Sequence, residues 1–113
     1  MTEPRIAFSA PPAEPSALEV LVNFGVFAGR EATAAEIDDL ARELLPELGL
    51  LTIVAERRHE FDGHSEAELH QVRIVVPTEV TPYDDELDRL RELVVARAEH
   101  WARQCVERRH AEV

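Results

Sequence analysis

Two runs of strand character, "LLTIVAERRHEF" and "ELHQVRIVV", stand on either side of Asp62-Gly63, the dipeptide that best tolerates the positive φ angles of a tight hairpin turn. A turn made by those two residues predicts a register. Phe61 faces His64, His59 faces Glu66, Arg57 faces Glu68, Ala55 faces His70, Ile53 faces Val72 and Leu51 faces Ile74. This pairing collects Leu51, Ile53, Ala55, Val72, Ile74 and Val76 on one face and sets basic side chains opposite acidic ones. The other face receives Thr52, Val54, Glu56, Arg58, Leu69, Gln71 and Arg73, a mostly polar set suited to water or a loosely covered surface. An antiparallel hairpin with one buried face is therefore the element around which the remaining chain must be arranged.

Upstream, "ALEVLVNFGVF" alternates so that Leu18, Val20, Val22, Phe24 and Val26 share one face, predicting a further strand. The segment "SAPPAEPSA" before it carries three prolines and predicts a linker or wide turn, with "RIAF" as at best a short edge strand ahead of it. Thr33 and Glu36 in "TAAE" have capping-box spacing, and Ile37, Leu40, Ala41, Leu44 and Leu48 form the apolar stripe of the helix they open, with Pro46 and Gly49 marking its end. A second helix is predicted after "VPTEVTP", capped by Thr81 with Pro82 in its first turn. Its stripe is Leu87, Leu90, Val94, Ala98, Trp101 and Cys105, and a run to about residue 109 makes it ~40 Å long. That length brings Trp101 level with the Phe61 and His59 end of the hairpin.

Strand, helix, hairpin and helix in this order predict an α+β fold of the ferredoxin-like, split β-α-β kind. It has an antiparallel sheet of three or four strands, two helices on one face and a long second helix. The usual final strand has no counterpart after residue 110. Its place falls to "RIAF" at the front, to a second subunit, or to nothing. Residues 1–16 read as a Pro-rich N-terminal segment and 17–110 as a single domain.

A chain of 113 residues is long enough to bury a core unaided, and Cys105, its only cysteine, excludes an internal disulfide. Neither a secretion signal nor a stretch able to span a bilayer is seen, so a soluble, cytoplasmic protein without membrane partners is expected. The net charge of −11 opposes nucleic-acid binding, which depends on a basic face neutralising phosphates. No motif implies a cofactor.

Two stretches carry candidate chemistry. "HEFDGHSEAELH" holds three histidines and four carboxylates. In the predicted register His59 and His70 lie ~13 Å apart along the strand, too far to share an ion, but His59, His64 and Glu66 occupy neighbouring rungs of one face. Those three are the candidate ligands for a divalent metal, and with them a metal-dependent enzyme. Cross-strand charge pairing at a soluble hairpin tip is the plainer account, since no His-Glu-x-x-His spacing occurs. In "GVFAGRE", Gly25 and Gly29 with Arg30 are the candidate residues of an anion or small-molecule site in the loop 25–33. An ordinary strand-to-helix loop is again the plainer account, because the lysine and hydroxyl of a phosphate loop are missing and Glu31 and Glu36 stand close by. The reading favoured by the sequence is a small acidic interaction or regulatory module. It acts as a homodimer through an open sheet edge or uncovered face, with a protein partner as a further option.

Overall fold

The structure is a computed structural model that describes residues 6–10, 17–61, 63–77 and 84–112. Along the chain come β1 (Ala7–Ala10), β2 (Ala17–Val22), α1 (Phe24–Ala28), α2 (Ala34–Leu48), β3 (Thr52–Phe61), β4 (Glu66–Pro77) and α3 (Asp84–Glu112). The strands form one antiparallel sheet in the order β1-β2-β4-β3. β2 and β3 both run antiparallel to β4 between them, so they are parallel to each other and joined by the helical crossover α1–α2. β1, which includes part of "RIAF", occupies the edge beside β2. Residues 11–16 of the Pro-rich segment, and Thr81 and Pro82 with their expected capping roles, lie outside the described residues.

Strand alternation decides the layers. Leu18, Val20 and Val22 of β2 pair with Val76, Ile74 and Val72 of β4, and these six side chains are buried on one face. Helical stripes land on that face: Leu40 and Leu44 from α2, and Val94, Ala98, Trp101, Ala102 and Cys105 from α3, join the same apolar cluster. α2 opens with the predicted capping box, Thr33 accepting from the Glu36 N–H at 3.2 Å while Glu36 accepts from the Thr33 N–H at 2.9 Å. The helix continues past Pro46 to Leu48, because a proline in the last turn removes only one intrahelical bond; Gly49, at φ 76°, then ends it. α3 runs for 29 residues, about 43 Å.

Three expectations are corrected. β2 stops at Val22, and Phe24 and Val26 belong to α1 instead of extending the strand. The Asn23 N–H donates to the Ile6 carbonyl at 2.8 Å, and beyond it the chain coils, so Phe24 is buried while Val26 is half exposed.

The hairpin register is the second. Ile53 faces Ile74, Ala55 faces Val72, Arg57 faces His70, His59 faces Glu68 and Phe61 faces Glu66, so residues 62–65 make the connection instead of Asp62-Gly63 alone. Asp62 itself lies outside the described residues. The offset is two residues, and a shift of two leaves every side chain on its own face, so the apolar pattern fits both registers equally. Predicted partners survive as diagonal neighbours: Arg57 Nε lies 2.9 Å from Glu68, and His59 lies 3.7 Å from Glu66.

The third is Trp101, which packs on Phe24, with ring centroids 5.2 Å apart, and donates its indole N–H to the Glu36 carbonyl at 2.8 Å. Phe61, its expected neighbour, is 71% exposed. α3 has the expected length, but it packs on β1, β2 and the other helices, not on the hairpin tip.

Trp101→Phe keeps most of the packing but removes the donor to the Glu36 carbonyl. Urea denaturation is expected to show a loss of roughly 1–3 kcal/mol.

Candidate functional site

The arginine of the loop between α1 and α2 is turned to the first turn of α2. Arg30 and Glu36 form a bidentate pair, Nη1 to Oε1 at 2.7 Å and Nη2 to Oε2 at 2.8 Å, with the guanidinium 5.3 Å from the Phe24 ring centre. The Arg30 hydrogen bonds, opposed by burial and aided by Thr33 and the Cys105 thiol, lower the Glu36 carboxyl to about 2. Arg30 is raised in turn, chiefly by Glu36. Burial, with Glu36 beside it, pushes the Cys105 thiol up to about 12, so it stays protonated and unreactive at neutral pH.

The two glycines have conformational roles. A Cβ on Gly25 would lie 2.9 Å from the His70 Cβ and 3.0 Å from its backbone nitrogen, so glycine is what lets α1 approach β4. Gly29 caps α1 at φ 72°, its N–H donating to the Gly25 carbonyl at 2.9 Å. Gly25, Gly29 and Arg30 thus lie along one short segment, with the arginine turned to Glu36. The sequence places Glu36 in the capping box and near Arg30; the bidentate bond between them rests on a contact six residues back that helical periodicity does not reveal.

β2 pairs with β4 only over residues 72–77, so the rungs from Glu56–Gln71 to Phe61–Glu66 project past β2 as a two-stranded arm. The arm is about 17 Å long. On it His59 and His70 stand two residues apart, not the four expected, and the corrected register brings both beside Glu68. His70 Nε2 lies 3.6 Å from Glu68 Oε1, the oxygen that also meets Arg57. His64 is exposed in the connecting loop. Of the candidate ligands, the structure brings His59 to Glu66; among the described residues no cluster of three or more His, Cys, Asp or Glu is arranged to hold a metal ion.

In comparisons with known proteins, the chain matches no family model, no curated protein and no solved structure.

Two further features escaped the sequence. On the sheet face turned away from the helices, Arg73 bridges Glu19 at 2.6 Å and Glu56 at 3.1 Å, linking β2, β4 and β3. Glu19 is only 2% exposed there, and Gln71, joining Arg58 to Asn23, is also buried. Alternation placed these residues on the polar face, but their mutual contacts depend on the two-residue offset. Between α1 and the far half of α3, Ile6, Phe27, Ala102, Arg103, Val106 and Glu107 line an open cleft of about 240 Å³. In the sequence Phe27 falls within the loop 25–33, where an apolar position carries no periodic signal.

Two outcomes are expected. Glu36 has its carboxyl depressed in the folded state, so its contribution to stability is complete above the ordinary value of 4.5 and is lost as pH falls through about 2. The depression corresponds to up to roughly 3 kcal/mol. Glu36→Gln is therefore expected to flatten the pH dependence of unfolding between pH 5 and about 2, read by urea denaturation across that range. Gly25→Ala is expected to cost about 1–3 kcal/mol by forcing α1 off His70, with the largest amide shifts on β4.

Proposed function

We propose that this chain is a small acidic interaction module that acts as a homodimer through its sheet, by way of β3 and the arm it forms with β4. The observation that carries this reading is the arm itself. β3 is a ten-residue edge strand, and no strand among the described residues pairs with its outer side. α1 packs on this ribbon at His70, and beyond that contact its long open edge offers backbone donors and acceptors in a row. Phe61 at its tip and Val54 along it are exposed apolar side chains that an interface would cover.

The fold reading that accompanies this is a ferredoxin-like domain whose last strand has moved to the front. It is supported by the β2–crossover–β3 unit with β4 between and by β1 beside β2. A regulatory role in the cytoplasm fits the single buried thiol and the acidic balance. An anion site in the loop 25–33 has less support, since Arg30 already holds Glu36 in bidentate fashion.

Light scattering at high micromolar concentration is expected to give twice the 12.7 kDa chain mass. Phe61→Glu with Val54→Glu is expected to return the mass to that of the monomer and to give a urea midpoint that no longer rises with protein concentration. A wild-type protein that stays monomeric at every concentration tested is the result against this reading.

A further inference from the structure

We infer that β3 pairs antiparallel with β3 of a second copy across a two-fold axis at Arg57, so that two four-stranded sheets become one. This rests on the dimer reading and specifies its register and partner surface.

An axis that joins two antiparallel edge strands into one sheet stands perpendicular to that sheet, so each face continues as the same face in both copies. Residues opposite one another then belong to the same face and are both odd or both even in number. That leaves five centres along the middle of "TIVAERRHEF".

Centring on Glu56 places Ile53 opposite His59, Ala55 opposite Arg57 and Val54 opposite Arg58. Centring on Arg58 sets Arg58 against itself, Arg57 against His59 and Glu56 against Glu60. Centring on Ala55 places Ile53 opposite Arg57. Centring on His59 pairs only residues 57 to 61 and places Arg57 opposite Phe61. Centring on Arg57 pairs residues 53 to 61, with Glu56 opposite Arg58 twice and Ile53 opposite Phe61 twice.

The geometry of the single chain favours this last arrangement. Ile53 is part-buried against the core, so Phe61 of the second copy, now 71% exposed, extends that apolar layer instead of facing water. The like charges at the axis enter neutralised, since each Arg57 already holds the Glu68 of its own hairpin at 2.9 Å. The charges along β3 deter indiscriminate edge pairing and complement a second β3 in this register.

Disulfide trapping under mild oxidation tests the register, with Cys105→Ala removing the other thiol. Directly opposed residues of an antiparallel pair have Cα separations that fall within disulfide range. Single substitutions Ile53→Cys, Ala55→Cys, Arg57→Cys, His59→Cys and Phe61→Cys are expected to give covalent dimer with a maximum at 57, falling to background at 53 and 61. Mixing Glu56→Cys chains with Arg58→Cys chains, which keeps Arg57, is expected to give the mixed dimer in excess over either homodimer. A maximum at 55 or 59 overturns the register. A dimer by light scattering with no trapping anywhere on β3 overturns the edge and leaves a homodimer that uses another part of the sheet. A chain that is monomeric throughout overturns both.

Discussion

The pairing of β2 with β4 is the constraint on which the other elements depend. Leu18, Val20 and Val22 beside Val76, Ile74 and Val72 make a continuous apolar surface only if both strands keep strict alternation in one register. Each of these side chains, fully buried, contributes about 1.5–3 kcal/mol toward offsetting the ordering of the strands that carry them. Without that surface α2 and α3 have nothing on which to place Leu40, Leu44, Val94, Ala98 and Trp101. β1 and β3 then add to the flanks of a sheet already defined at its centre.

Above the sheet, Glu36 ties three elements. Its carboxylate holds Arg30 from the end of α1, its side chain closes the capping box of α2, and its carbonyl receives the indole N–H of α3. The rigidity of this junction explains why a segment with two glycines and an arginine, suggestive of a ligand loop in the sequence, is occupied by its own chain. Gly25 serves the approach of a helix to a strand, and the charge of Arg30 is answered within the same turn of the fold.

Much of this was legible from residue patterns. The capping box of Thr33 and Glu36, the stripe from Val94 to Cys105, and the apolar faces of β2 and β4 follow from periodicity, which the backbone imposes directly, whereas on β3 the expected buried face keeps only Ile53 half-buried and leaves Ala55 exposed. The end of β2 was not legible, because Phe24 and Val26 continue the period of two while the backbone has already coiled. Trp101 was misplaced because helix length gives distance along an axis but not the direction in which the axis crosses the sheet. The hairpin offset escaped for a different reason: both registers satisfy the same apolar pattern, and the sequence of the turn decided in favour of the shorter loop. The shorter loop implies a greater distance between His59 and His70 than the structure has, and a direct pairing of Arg57 with Glu68 where the contact is diagonal.

That degeneracy gives the Arg73 bridge a meaning beyond its contribution to folding energy. Sliding β4 by two positions against both neighbours together preserves the greasy side of the sheet, but in either direction it leaves the guanidinium four residues out of step with Glu19 or with Glu56. Oily repetition alone cannot count, whereas a cation held between two specific anions can. The reverse side of the sheet thereby acts as an index mark, recording which of several equally oily alignments is the native one.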